Sequence, residues 1–161
     1  MNKLILIIFI LSPLVCHADD VFVDAGIGAF RTAGDDAVGT KFLKLGVQED
    51  LWEGFKQRFN GGFWLDSQGQ GRSSSGFAGY QWGFEVDNDV FQSSVFAGPT
   101  LITSPDSYLG GIFQFNESLF FGIKDRFDNS IGMFYNHFSS AGIENPNKGR
   151  DFMGVEIKFG I

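Results

Sequence analysis

Residues 78–86 read A-G-Y-Q-W-G-F-E-V, and this stretch decides the fold. Its even-numbered positions are apolar or aromatic, while Gln81 and Glu85 fall between them. Alternation with a period of two is typical of a β-strand whose two faces meet different surroundings. Aromatic side chains on one face and a charge in mid-strand on the other favour a strand that faces lipid outward and a polar barrel interior inward.

Seven further segments show the same alternation, and turn residues separate them. Their apolar faces cover Val21–Ala29, Leu43–Val47, Phe55–Leu65, Phe91–Leu101, Leu109–Ile123, Ile131–Ser139 and Met153–Phe159. Eight such strands form the smallest ordinary outer-membrane barrel. The sequence therefore predicts an all-β fold, an eight-stranded antiparallel transmembrane β-barrel. A soluble periplasmic barrel or sandwich would show similar alternation and is the alternative.

The strand count also predicts on which side each connection lies. With both strand ends on the periplasmic side, the periplasmic turns fall near Glu49–Glu53, Asp87–Asp89 and Arg126–Asn129. The outer loops are then Thr32–Gly39, Ser67–Arg72, Thr103–Ser107 and Ser140–Arg150.

The first residues have the three-part form of a secretory signal peptide. Lys3 supplies the positive charge, Leu4–Leu11 the apolar run, and residues 16–18 the small residues before a cut ahead of Asp19. We therefore expect residues 1–18 to be removed and residues 19–161 to form the barrel domain. Cys16 suggests a lipoprotein anchor as an alternative, but Pro13 stands where a lipoprotein signal requires Leu.

Composition excludes several classes of function. Without Lys3, the 12 basic residues fall to 11 against 19 acidic ones, a net charge near −8, which disfavours nucleic acid as a partner. Without Cys16 no cysteine remains, which excludes disulfides and thiolate chemistry. His137 is the only histidine after residue 17, and with no cysteine left this excludes the usual zinc constellations. We also expect no cofactor.

His137 and Ser139 are the first candidates for chemistry. They are two residues apart, so on a strand they share a face with Ile131, Met133 and Tyr135, the face that points to lipid. A histidine beside a hydroxyl is the minimum equipment for nucleophilic acyl transfer, because the imidazole can take the proton of a weak nucleophile. The alternative is an interfacial girdle, in which polar tips meet lipid head groups.

Two acids share that outward face. If residues 140–150 close a hairpin, Asp151 comes roughly opposite Ser139, with His137 one diagonal away. The turn near residues 126–129 places Glu117 roughly opposite His137. A carboxylate facing lipid is costly, and pairing with the imidazole would offset that cost. Either acid can therefore serve as the partner of His137.

Residues 137–143, His-Phe-Ser-Ser-Ala-Gly-Ile, followed by Pro146-Asn147 and Asp151, resemble the signature of the outer-membrane lipid A 3-O-deacylases, the PagL family. The resemblance implies an eight-stranded barrel with an active site on its lipid-facing wall. It implies that Ser139 is the nucleophile, His137 the general base and Asp151 the orienting acid. Two further residues, Asn147 and the backbone amide of Gly142, are implied as oxyanion stabilisers.

This chain departs from the family pattern at its acids. The family typically carries Glu where this chain has Asp151, and Asp where it has Glu117. Glu117 is therefore kept as a supporting residue and as the other candidate for the orienting acid.

The resemblance implies a metal-free serine esterase that removes the 3-hydroxyacyl chain at position 3 of lipid A. Lipopolysaccharide would be its substrate, the outer membrane of a Gram-negative bacterium its location, and a monomer or homodimer its assembly. The alternative is a small barrel without enzymatic activity, either an adhesin or a protein that binds lipopolysaccharide.

Overall fold

The computed structural model describes residues 18–28, 40–66, 73–106, 108–145 and 147–161. Eight strands appear in chain order in these ranges: β1 Asp20–Gly28, β2 Lys41–Trp52, β3 Phe55–Leu65, β4 Ser75–Asp87, β5 Phe91–Ile102, β6 Phe113–Lys124, β7 Ser130–Ser139 and β8 Arg150–Gly160. Each strand pairs antiparallel with the next, and β8 pairs with β1 to close the barrel. The eight-stranded antiparallel barrel predicted from the alternation is confirmed. No helix in the described ranges has the length and hydropathy of a membrane span.

The turn predicted near Glu49–Glu53 lies mostly within β2, which continues to Trp52, and the predicted start of the sixth strand is also wrong. The alternation placed Leu109 at the start of the sixth strand, whereas β6 begins at Phe113. Leu109 is fully buried and forms an isolated bridge with Asn147 in the connection between β7 and β8. Its apolar side chain packs in the barrel interior rather than on the lipid-facing wall. Because the side chain is apolar, it fitted the alternating pattern although the residue lies outside the strand.

Some predicted segments lie outside the described residues. These are residues 1–17 of the predicted signal peptide, the end of the first strand at Ala29, the outer loops 32–39 and 67–72, Ser107 at the end of the third outer loop, and Pro146.

The outer wall of the barrel is apolar. Side chains such as Leu45, Phe84, Leu119, Phe121 and Met133 are exposed, although all of them lie within strands. Exposing a continuous apolar band of this kind to water would cost a soluble protein much free energy, whereas lipid solvates the band. The wall is that of a membrane-spanning barrel, as the alternation predicted.

The interior has a polar half and an apolar half. Buried ion pairs cross the polar half: Lys44 Nζ lies 2.8 Å from Asp24, Arg58 lies 3.2 Å from Glu156, and Lys158 pairs with Glu85. The apolar half is a cluster of eight buried side chains, which we call the aromatic plug: Phe42, Trp64, Phe77, Ile102, Leu109, Phe134, Phe138 and Phe152.

The two ends of the barrel differ. At one end, the turn rim, lie the short connections at residues 53–54, 88–90 and 125–129, and Ile161 bonds back to Asp19 there. At the other end, the loop rim, lies the connection from Ser140 to Gly149, and the aromatic plug fills the interior on that side. A cavity of about 480 Å³ opens at the turn rim, and none of the predicted site residues lines it.

Candidate active site on the outer wall

Three predicted site residues meet on one row of the outer wall, next to the loop rim. His137 of β7 lies directly opposite Glu117 of β6 on one side and Asp151 of β8 on the other. The position of Glu117 opposite His137 agrees with the prediction. The predicted pairing of Ser139 with Asp151 is wrong, because Phe138 pairs with Arg150 and the register brings His137 itself opposite Asp151. Ser139 takes the diagonal position instead.

Asp151 is the acid that contacts the imidazole. His137 Nδ1 lies 2.6 Å from Asp151 Oδ1, a short contact between two partly covered side chains that are 27% and 11% exposed. A carboxylate at Nδ1 stabilises the tautomer with its proton on Nδ1 and leaves Nε2 as the basic nitrogen. Glu117 is exposed on the opposite side of the same imidazole.

Tyr135 also contacts Asp151. It lies two residues before His137 on the same face of β7, and its hydroxyl donates a hydrogen bond of 2.6 Å to the same Oδ1. Sequence reasoning placed Tyr135 on this face but gave it no role. The sequence signal for Tyr135 was its spacing of two residues from His137. Its diagonal contact with Asp151 depends on the pairing register of β7 with β8, which only the closed barrel defines.

The connection between β7 and β8 is held in one shape by its own hydrogen bonds. The backbone N–H of Ser140 donates to Asn147 Oδ1 at 2.8 Å, and Ser140 Oγ donates to the carbonyl of Glu144 at 3.1 Å. Ala141 and Gly142 both have positive φ, 51° and 81°, and Ile143 N–H bonds to the carbonyl of Ser140 at 3.0 Å. Positive φ at both central positions is typical of a type I′ turn.

These contacts position Asn147 beside the strand end. Its Oδ1 accepts the Ser140 N–H, which assigns the amide orientation and leaves the Nδ2 hydrogens as its donors. Its backbone bridges to Leu109, so the residue is held from two sides. Gly142 lies at the exposed tip of the turn, and a Cβ built on it would meet nothing within 4 Å.

Gly149 is a further site residue that sequence reasoning missed. Its φ is +67°, and a Cβ built on it would lie 2.6 Å from His137 Cε1 and 3.2 Å from His137 Nε2. The Gly149 backbone therefore packs against the ring at its basic nitrogen, where only a glycine leaves the imidazole in place. The sequence held no signal beyond a glycine two residues before Asp151.

Arg150 ties the start of β8 to the barrel interior. It is buried, its guanidinium pairs with Asp106 and lies 3.4 Å from Asp66, and it lies over the Trp64 ring at 5.7 Å. Because Arg150 precedes Asp151, this network fixes the backbone that carries the acid.

Comparison with known protein families and with a curated relative points to one family. The family model described as lipid A 3-O-deacylase (PagL) matches residues 41–159. The lipid A deacylase PagL of Bordetella bronchiseptica is 39% identical over 70 residues, which is 44% of this chain and 35% of that protein. The aligned part of this chain thus spans about a third of the relative's length.

Two solved structures share the fold. The crystal structure of the outer membrane enzyme PagL superposes with a TM-score of 0.70 at 18% identity, covering 88% of this chain and 99% of that one. A de novo designed transmembrane β-barrel gives a TM-score of 0.56 at 12% identity, with 89% and 97% covered. These two likenesses concern the fold alone. The family model matches well over half of the chain, which shows that this chain belongs to the lipid A 3-O-deacylase (PagL) family.

Proposed function

We propose that this chain is a lipid A 3-O-deacylase of the Gram-negative outer membrane, a serine esterase that hydrolyses the 3-hydroxyacyl ester at position 3 of lipid A in the outer leaflet. The observation that carries the proposal is the 2.6 Å contact between His137 and Asp151 on the lipid-facing wall, with Ser139 two residues further along the same face. An ester buried among acyl chains would reach such a site from the bilayer without leaving it.

The proposed reaction has two halves. Ser139 Oγ attacks the ester carbonyl carbon while its proton passes to His137 Nε2, and the imidazolium then protonates the departing sugar oxygen. Water next attacks the acyl-serine carbonyl carbon and gives a proton to the same nitrogen. The imidazolium then returns that proton to Ser139 Oγ as its bond to the acyl carbon breaks, which releases a free 3-hydroxy fatty acid. Asp151 holds the Nδ1 proton and stabilises the imidazolium in both halves.

Asn147 and the backbone N–H of Gly142 are the proposed donors to the oxyanion. Asn147 supports this role because its Oδ1 is already engaged by Ser140, which leaves its N–H groups to face a substrate. Donors held in place before the reaction stabilise developing charge more than mobile ones do. The positive φ of Gly142 gives its amide an orientation that an ordinary residue adopts only with strain.

One chain supplies every proposed site residue. His137 and Ser139 lie on β7, Asp151 on β8, Glu117 on β6, and Asn147 and Gly142 on the β7–β8 connection. A monomer or a homodimer would therefore be equally able to carry out the reaction.

Mass spectrometry of lipid A from cells that express the chain tests the proposal. We expect lipid A to lose one 3-hydroxyacyl group, and Ser139→Ala or His137→Asn to abolish the loss while leaving barrel assembly intact. The double variant should be little worse than either single one, because the two residues act as a unit. Ser93→Ala, which alters another exposed serine on the outer wall, is the matched control. Unchanged lipid A with correctly assembled wild-type protein would favour a barrel that only binds lipopolysaccharide.

A further inference from the structure

Tyr135 and His137 reach the same oxygen of one carboxylate. The two residues share the outward face of β7, and each lies 2.6 Å from Asp151 Oδ1, Tyr135 through its hydroxyl and His137 through Nδ1. His137 is directly opposite Asp151, whereas Tyr135 is opposite Met153 and therefore approaches along the diagonal.

We infer that Tyr135 is a positioning residue, whose hydroxyl holds the Asp151 carboxylate in the rotamer that faces His137. This inference rests on the proposed function, in which Asp151 orients the general base.

The surroundings of Asp151 explain why a second hydrogen-bond donor would stabilise its carboxylate. The side chain is 11% exposed on a wall whose neighbours include Met153 and Val155, so few water molecules can solvate its charge. A buried carboxylate is stabilised by charge-assisted hydrogen bonds, which are shorter and stronger than neutral ones. The Tyr135 hydroxyl and His137 Nδ1 approach the same oxygen, and two donors on one oxygen restrict the direction of the carboxylate more than either donor by itself.

The test compares Tyr135→Phe with the wild-type protein in detergent micelles, using a lipid A substrate and following release of the 3-hydroxy acid. We expect kcat to fall about ten-fold or more with KM changed less than two-fold, the size expected for one hydrogen bond to a charged group. In an Asp151→Asn background the same change should have no further effect.

The chain offers a matched control in Tyr80, which also lies on the outer wall and donates its hydroxyl to the side chain of Gln57. Tyr80→Phe removes a comparable hydrogen bond away from Asp151 and should leave kcat and KM unchanged. Equal losses in the two variants would show that Tyr135 stabilises the barrel in general, and would overturn the inference.

A second measurement separates this inference from the proposed function. His137 is the only histidine in residues 19–161, so ¹⁵N-histidine labelling of the refolded chain yields one set of imidazole signals. Tyr135→Phe should move the Nδ1–H resonance and Tyr80→Phe should not, whether or not any ester is hydrolysed. An unmoved Nδ1–H signal in Tyr135→Phe overturns the positioning role. If the signal moves in a protein that never releases a 3-hydroxy acid, the result supports the positioning role of Tyr135 and contradicts the proposed esterase activity.

Discussion

At the residue scale, the position of the His137 ring depends on Gly149, because a side chain at residue 149 would collide with the ring. A Cβ built on Gly149 would lie 2.6 Å from His137 Cε1, and the positive φ of the residue adds a second reason for glycine. An added Cβ must displace either the imidazole or the backbone carbonyl of Phe138, which lies 2.9 Å from the built Cβ position. The imidazole gives way more easily, because it is a side chain.

We therefore predict that Gly149→Ala lowers kcat by at least about ten-fold through a displaced His137, beyond the strain of about 1–2 kcal/mol that positive φ costs an L-residue. Gly54→Ala is the control, since Gly54 has a similar φ of +73° at the turn rim and its built Cβ comes no closer than 3.4 Å to another atom. The two variants should lose similar stability in urea titrations. Equal activities would contradict the prediction.

The two acids beside His137 lead to a second prediction at this scale. Asp151 touches Nδ1, whereas Glu117 lies opposite the ring on the neighbouring strand, so Asp151→Asn should reduce kcat far more than Glu117→Gln. Asp151→Glu should retain more activity than Asp151→Asn, because it preserves the charge. Steady-state rates of 3-hydroxy acid release measure all three. If Glu117→Gln proved the more damaging change, Glu117 would be the orienting acid.

At the scale of elements, β7 and β8 carry the site on one face and part of the aromatic plug on the other. Phe138 lies between His137 and Ser139 in sequence and points inward, where its ring meets Trp64 at 5.4 Å and Phe152 at 5.8 Å between centroids. Side chains packed at this density hold the backbone of both strands and so fix the outward residues.

Phe138→Leu should consequently lower activity several-fold while costing about 1 kcal/mol of stability, because the smaller side chain lets the β7 end shift. Phe120→Leu is the matched change: Phe120 is also a buried interior residue, but it lies beneath Lys158 in the polar half. Urea unfolding in detergent should show similar losses for both. Activity should fall only in Phe138→Leu, and a similar fall in both would show that general loosening of the barrel is responsible.

At the scale of the whole molecule, the barrel interior is held by buried ion pairs as well as by the aromatic plug. Arg58 and Glu156 are almost fully buried and come from β3 and β8, so their contact of 3.2 Å spans the lumen. Arg58 also lies over the Phe22 and Phe96 rings at 4.5 and 4.0 Å. Removing one charge leaves the other buried without its partner.

Glu156→Gln should therefore cost about 3–5 kcal/mol, and Arg58→Met combined with Glu156→Met should recover much of it. The temperature at which the folded barrel loses its altered gel mobility in dodecyl sulfate reports the change. Glu53→Gln, at an exposed position in the turn after β2, should have no effect. A single variant as stable as the wild type would show that water or other side chains already solvate Arg58.

The sequence by itself determined which residues face lipid and which face the lumen, and hence the fold class. A period of two specifies the face of each residue directly, and eight alternating segments define the barrel. It also placed His137, Ser139, Glu117 and Asp151 on the same outer wall.

The tertiary structure decided which of those residues touch. A shift of pairing by two residues leaves every side chain on its own face, so alternation cannot tell whether Asp151 lies opposite Ser139 or opposite His137. The closed register and the shape of the 140–149 connection settled that Asp151 meets His137. The same register brings Tyr135 to Asp151, and the positive φ at Gly149 brings the backbone against the imidazole. Such contacts depend on distances across strands, and period-two spacing along one strand carries no information about them.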